Sequence, residues 1–233
     1  MRVNHPFVGP FNGSNCRLLC HMNGADAGIV FADDSRGGGH TFTRLGAAGP
    51  VTCQTVKKFG TAAACFSSAN ALQVMGGVSH WQFDNMPFSV DCWVNFSAIY
   101  GTMVVCGVCD NPRVQSSWRI YYQGGWSVGL WTDGTTDNIY PTGITTLANV
   151  WNHLCLRRLT VGGNIEFFVN GVRALNIAFG SLYASTWELL LGNQYKVYPA
   201  VNTYGTAGRI DEFRVCGRAF PPSNGFTLPN RES

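Results

Sequence analysis

The chain carries little charge. Asp, Glu, Lys and Arg make up 12% of its 233 residues, about half the share found in an ordinary soluble domain. The net charge of +3 includes no basic run, which argues against a nucleic-acid partner. No apolar run approaches the ~18 residues of a membrane-spanning helix, so we expect no membrane partner either. The surface must then be uncharged and polar, aromatic, or covered by neighbouring molecules.

Helical periodicity is also scarce, and short alternating segments take its place. In Phe88–Phe96 every second residue is apolar, as in a strand with one buried face. Trp151–Val172 predicts two strands followed by an Asn170-Gly171 turn, a dipeptide that accepts the positive φ angles of a hairpin. Such signals recur about every 8–12 residues. We predict an all-β, two-sheet antiparallel sandwich over residues 16–217, flanked by irregular arms over 1–15 and 218–233.

Six segments, in order along the chain, resemble the strands and loops of laminin-G-like, concanavalin A-like lectin domains. They are Leu18–Gly24, Phe31–Thr43, Lys58–Phe66, Phe88–Phe96, Trp151–Val172 and Gly208–Val215. The resemblance implies a jelly roll. The residue patterns of these motifs also resemble the versions that are common in tailed-phage virion proteins. That similarity implies a phage structural protein located in the virion and assembled in the host cytoplasm.

Two functional interpretations follow from the resemblance. The first is a non-enzymatic capsid decoration or cement protein that binds the major capsid protein or other virion proteins, or self-associates as a homo-oligomer. The alternative is a carbohydrate-binding, lectin-like module of a head fibre or tail protein, which binds a cell-surface glycan during host adsorption. For the first, the arms would contact neighbouring subunits. The arm residues expected at that interface are Phe7, Phe11, Phe220, Pro221, Pro222 and Phe226.

Aromatic residues are concentrated in one part of the chain, between residues 118 and 140. Flat rings can stack on sugars while neighbouring amides and hydroxyls bind the sugar oxygens. Packing within the sheets or in a protein interface uses the same residue types, and it remains the commoner role. The residues expected at a glycan site are Trp118, Tyr122, Trp126, Trp131, Asn138 and Tyr140.

We do not expect a catalytic role. Retaining glycosidases need two carboxylates about 5 Å apart, which the related enzymes supply as E-x-D-x-x-E on an inner strand, and this chain has no such motif. Asp211 and Glu212 are adjacent, so they should point to opposite faces of a strand, with Asp211 holding backbone amides of a loop. Asp133 and Asp137 form a weak calcium candidate, because Asp is also an ordinary turn former. No other cofactor is expected.

The nine cysteines leave zinc, disulfides and buried thiols open. Cys106 and Cys109 have the spacing of zinc ligands, and Cys16 with Cys20 could supply a second pair. Four cysteines stand where a jelly roll buries apolar side chains: Cys20, Cys65, Cys92 and Cys155. Free cysteine packs as a small apolar residue. Because no secretion signal precedes the domain, we expect a reducing compartment in which the thiols stay largely unpaired.

Overall fold

The computed structural model describes residues 16–35, 39–109, 115–194 and 204–218. The predicted arms, with all six of their expected interface residues, lie outside the described residues apart from Arg218. The strands are β1 (Cys16–Cys20), β2 (Thr41–Leu45), β3 (Val51–Cys53), β4 (Ala63–Phe66), β5 (Ala71–Met75), β6 (Phe88–Phe96), β7 (Met103–Val108), β8 (Trp118–Tyr122), β9 (Trp126–Leu130), β10 (Asn138–Pro141), β11 (Trp151–Arg158), β12 (Ile165–Val169), β13 (Val172–Ile177), β14 (Leu189–Leu191) and β15 (Gly208–Cys216). One helical turn, α1 (Val78–Trp81), is present. No helix in these ranges is long and apolar enough to cross a membrane.

The strands form two antiparallel sheets that pack face to face. The eight-stranded sheet has the order β13-β12-β11-β6-β15-β4-β3, and β1 also pairs with β15. The seven-stranded sheet has the order β10-β9-β8-β7-β14-β5-β2. This architecture confirms the predicted all-β sandwich. It also brings the first and last described strands together at the centre of one sheet.

Alternation along β6 builds the centre of the core. Phe88 and Val90 have no exposed surface, and Phe96 is 1% exposed. They face the other sheet, as the sequence pattern predicts for a strand with one apolar face. The side chains on the opposite face of β6 are buried as well, because every residue of the strand is. Burial in this protein therefore extends beyond the space between the sheets.

A hairpin turn and a bulge set the geometry of the eight-stranded sheet. The predicted turn joins β12 to β13, with φ values of 51° at Asn170 and 80° at Gly171. In β15 the register with β6 shifts between Asp211 and Arg214, and Glu212 adopts a left-handed φ of 49°. The bulge keeps both Asp211 and Arg214 on the outer face of the sheet.

The bulge also fixes a loop. One carboxylate oxygen of Asp211 accepts hydrogen bonds from the backbone amides of Lys58 (2.8 Å) and Phe59 (3.0 Å). The other oxygen accepts from the amide of Glu212 at 2.9 Å. The predicted structural role of Asp211 is thus confirmed, and the loop that it holds covers part of the outer face.

The cysteines correct one expectation. Cys16 is bonded to Cys216, and Cys53 is bonded to Cys65, so Cys65 is not the buried thiol that its strand position predicts. Both disulfides follow from strand pairing: Cys16 lies directly opposite Cys216, while β3 and β4 place Cys53 two residue pairs from Cys65 on the same face of the sheet. The other five cysteines are buried thiols, as expected: Cys20, Cys92, Cys106, Cys109 and Cys155.

Candidate functional site

Most of the aromatic residues predicted to stack on a sugar lie between the sheets. Trp118 and Trp126 have no exposed surface, and Tyr122 is 4% exposed. The Trp126 ring stacks on Phe96 at 5.3 Å and meets Tyr122 edge-on at 5.3 Å. A ring without exposed surface cannot stack on a sugar, so the glycan prediction is corrected for these three residues. Along β8, Trp118 and Tyr122 share the face of apolar Ile120, and along β9, Trp126 shares the face of Val128. This period of two was the sequence signal for an inward orientation.

Trp131 packs differently, against an arginine on the outer face of the seven-stranded sheet. The guanidinium of Arg119 lies 4.4 Å from the Tyr121 ring and 5.3 Å from the Trp131 ring. It donates hydrogen bonds to Asp137 and to Gln194, each at 2.6 Å. Arg119 is 4% exposed, and Tyr121 and Trp131 are fully buried. This Arg119 cluster is closed, so it provides no open stacking platform.

Asn138 and Tyr140 close the β10 edge of the same sheet. The amide of Asn138 donates to the carbonyls of Leu130 (3.2 Å) and Thr136 (3.3 Å). The ring of Tyr140 meets Phe179 edge-on at 6.5 Å, against the core. Both side chains are half-buried and hold local structure, so the six predicted glycan residues do not converge on one open surface.

The two calcium candidates already have hydrogen-bond partners. The Asp133 carboxylate accepts from the amides of Thr135 (2.8 Å) and Thr136 (2.7 Å), and these bonds hold its pKa below the ordinary range. Asp137 is paired with the Arg119 cation, which opposes a second cation. The described residues contain no group of three or more His, Cys, Asp or Glu side chains placed to hold a metal ion. Asp133 thus serves as a turn cap.

Paired charges line the outer face of the eight-stranded sheet. Asp91 accepts two hydrogen bonds from Arg214, at 2.9 and 2.6 Å, and lies 3.5 Å from His153. Burial alone would raise the pKa of Asp91, but Arg214 and His153 outweigh it and hold the pKa below its ordinary value. Glu166 is paired in the same way with Arg157 and Arg173. These carboxylates are stabilised as anions by structural partners.

A histidine pair lies beside α1. Asp33 accepts a hydrogen bond from Nδ1 of His40 at 2.6 Å, and Nε2 of His40 lies 2.9 Å from Nδ1 of His80. Asp33 also accepts from the amides of Leu19 and Ser35. These contacts make His40 a hydrogen-bonded structural group, and His153 beside Asp91 has the same kind of role.

A second surface on the eight-stranded sheet was not predicted from the sequence. Strand pairing places Trp151, Asn95 and Arg209 side by side across β11, β6 and β15. In the next row Trp93 lies beneath the ammonium of Lys58, which is 4.3 Å from its ring. Trp151, Arg209 and Lys58 are half-exposed, whereas Asn95 is 1% and Trp93 5% exposed. We call these five residues the Trp151 row.

The signal for this surface was partly visible in the sequence. Alternation along Phe88–Phe96 puts Trp93 and Asn95 on the face away from the core. Their neighbours Trp151 and Arg209, however, both lie more than 50 residues further along the chain. Only the sheet order brings Trp151 and Arg209 to Asn95.

Comparison with known proteins identifies the family. The model of the Concanavalin A-like lectin/glucanases superfamily (Laminin_G_3) matches residues 66–224, so the chain belongs to this family. A search of curated proteins found no match. Domain 4 of AbnA, a GH43 extracellular arabinanase from Geobacillus stearothermophilus solved in complex with arabinotriose, has a TM-score of 0.65 and 16% identity, covering 90% of this chain and 96% of that one.

Two botulinum neurotoxin structures share the fold at greater distance. The serotype D binding domain has a TM-score of 0.60 and 11% identity, covering 90% of this chain and 50% of that one. The second, from work on the entry of type C neurotoxin into cells through two ganglioside molecules, has a TM-score of 0.60 and 10% identity, covering 90% and 49%. The chain spans about half the length of these two relatives.

Proposed function

We propose that this chain is a non-enzymatic structural protein of a virion, most simply a capsid decoration or cement protein that binds neighbouring subunits. The observation that carries the proposal is the composition of the described surface. Its exposed large aliphatic residues include Val30 at 76%, Leu147 at 73% and Val172 at 66%, while many of its charges are paired on the sheet faces. The cores of protein interfaces are depleted of charged residues, so a surface with few unpaired charges favours coverage by other proteins.

The state of the carboxylates supports a role without chemistry. A retaining glycosidase needs one protonated and one ionised carboxyl group about 5 Å apart at a substrate cleft. Here Asp91, Glu166 and Asp137 are each held by arginine. Asp211 is occupied by backbone amides, and Glu212 is paired with His21 at 3.0 Å. These groups act as anchors of the sandwich.

Deletion of residues 1–15 tests the assembly role. We expect the truncated protein to fold as a monomer, because the deletion ends before β1, and to fail to join particles. Mass spectrometry of purified particles would give the copies per virion, where hundreds would indicate capsid decoration and a handful a tail or fibre. Full-length protein carrying Lys57→Gln serves as the control, since Lys57 is exposed. If the truncated chain coats capsids at normal occupancy, the arms are not the attachment device.

Carbohydrate binding is the second candidate function. The observation that favours it is the fold shared with the AbnA domain solved with arabinotriose. A panel of immobilised neutral and acidic oligosaccharides would test it with the full chain. If the chain binds no member of the panel, the assembly role is the only candidate function that remains.

A further inference from the structure

The Trp151 row combines the groups that hold an acidic sugar. Arg209 and Lys58 have no ion-pair partner among the described residues. The Nε of Arg209 is buried without a hydrogen-bond partner, although most of the arginines on this face are paired. A guanidinium is the side chain best shaped for a carboxylate, because its donors match both carboxylate oxygens.

Asn95 supplies an independent observation. Its side chain lies between Trp151 and Arg209 on the same face, is 1% exposed, and its Oδ1 atom has no hydrogen-bond partner in the described part of the chain. Buried amide oxygens are almost always hydrogen-bonded, so this atom calls for a donor from outside the described residues. A sugar hydroxyl is a donor that would satisfy it.

The spacing fits one sugar unit. Neighbouring strands are about 4.8 Å apart, so the backbones that carry Trp151 and Arg209, two strands apart, are separated by roughly 10 Å. The half-exposed indole at one end offers a flat face for stacking, and the guanidinium at the other end offers donors for an acid group. Lys58, above Trp93, adds a second positive charge at the rim.

We propose that the Trp151 row is a binding site for an acidic sugar unit, a uronate within a polysaccharide, with the carboxylate on Arg209, a hydroxyl on Asn95 and the ring on Trp151. The site lies on the outer face of the eight-stranded sheet, away from the Arg119 cluster. It rests on the second candidate function, carbohydrate binding, and names its ligand and location. The assembly role does not depend on it.

Calorimetric titration of the full-length protein tests the site with trigalacturonate as the acidic probe and arabinotriose as the neutral one. We expect trigalacturonate to bind more tightly, and Arg209→Gln to weaken it at least tenfold while changing arabinotriose affinity less than twofold. Trp151→Ala should weaken both probes. Arg209→Lys, which keeps the charge but loses the paired donors, should give an intermediate affinity for the acidic probe.

Matched controls distinguish binding at this site from a general effect of positive charge. Arg44→Gln removes a cation that donates instead to the loop carbonyls of Pro50 and Ala48, and Lys57→Gln removes an exposed neighbour of Lys58; both should bind like the wild type. Variants are compared only where their melting curves match the wild type. Wild-type binding that Arg209→Gln and Trp151→Ala leave unchanged would overturn this site but not carbohydrate binding. Failure of the wild type to bind trigalacturonate would overturn this site, whereas carbohydrate binding itself is overturned only if the wild type also binds no member of the oligosaccharide panel.

Discussion

The two outer faces of the sandwich are buried by different means. The face of the eight-stranded sheet carries both disulfides and two groups of ion pairs, centred on Asp91 and Glu166. Among the described residues, the face of the seven-stranded sheet carries one ion pair, between Arg119 and Asp137. There the arginine lies over Gly107 and Gly129, whose missing side chains leave it space. One face is held by covalent and charged contacts, and the other by close packing around a single cation.

This difference follows from chain order. The eight-stranded sheet pairs β15 with β1, β4 and β6, so its centre joins segments from both ends of the described chain. Closing such long loops costs conformational entropy, and the Cys16–Cys216 disulfide and the Asp91–Arg214 ion pair join these distant segments. In the seven-stranded sheet, β7, β8, β9 and β10 follow one another as hairpins, and local turns supply the register.

The largest effect should come from breaking the buried charge pair on the eight-stranded face. Asp91→Asn leaves Arg214 buried without its carboxylate, so we expect a loss of about 3–5 kcal/mol in the free energy of unfolding, measured in urea. Asp26→Asn is the control, because Asp26 is exposed and should change stability by less than about 0.5 kcal/mol. Similar values for the two variants would show that the ion pairs do not hold this face.

The pH dependence of the free energy of unfolding should distinguish the contribution of Asp91 from that of Asp211. Burial, with a smaller contribution from Glu212, raises the pKa of Asp211 to about 7, although the Phe59 and Lys58 amides oppose the shift. The folded state then binds a proton that the unfolded state has lost, so this group's contribution to stability falls as pH rises from about 4 to about 7. At about 1.4 kcal/mol per pKa unit, the upper limit is about 4 kcal/mol.

The contribution of Asp91 to stability changes with pH in the opposite direction, because the pKa of Asp91 is lowered. Its contribution is present above the ordinary pKa of 3.8 and is lost as pH falls through the folded value. Urea unfolding at pH 4.5 and 7.5 would detect the Asp211 contribution as a difference between the wild type and Asp211→Asn. A wild type and variant with parallel pH profiles over that interval would show that Asp211 is ionised throughout.

Removal of a disulfide should have the next largest effect on stability. Cys216→Ser opens a link between residues 200 apart, and Cys53→Ser opens one between residues 12 apart. Constraint of the unfolded chain grows with loop length, so both variants should lose about 2–4 kcal/mol, with the larger loss for Cys216→Ser. Alkylation of the unfolded, unreduced protein should label five cysteines and spare four. Labelling of all nine would mean that neither disulfide forms.

Particular residues show which features of the structure could be predicted from the sequence. Alternation in Phe88–Phe96 predicts β6 with its ends correct, and Asn170-Gly171 predicts the hairpin, because both signals are local. Trp118 and Trp126 were open to two interpretations, since an aromatic residue suits a core as well as a sugar site. The Cys16–Cys216 bond and the Trp151 row could not be predicted, because they depend on which distant strands become neighbours.

The smallest effect should come from crowding the arginine on the seven-stranded face. A methyl group at Gly129 would lie 2.9 Å from Nε of Arg119 and 2.9 Å from Oδ1 of Asp137, so Gly129→Ala must displace the buried pair. We expect a loss of about 1–2 kcal/mol, with the Asp137–Arg119 contact weakened. Gly180→Ala is the control, since no atom lies within 4 Å of its added carbon. Equal stability of the two variants would mean that the Arg119 cluster accommodates the added methyl group without loss of stability. The seven-stranded face would then not depend on close packing around Arg119.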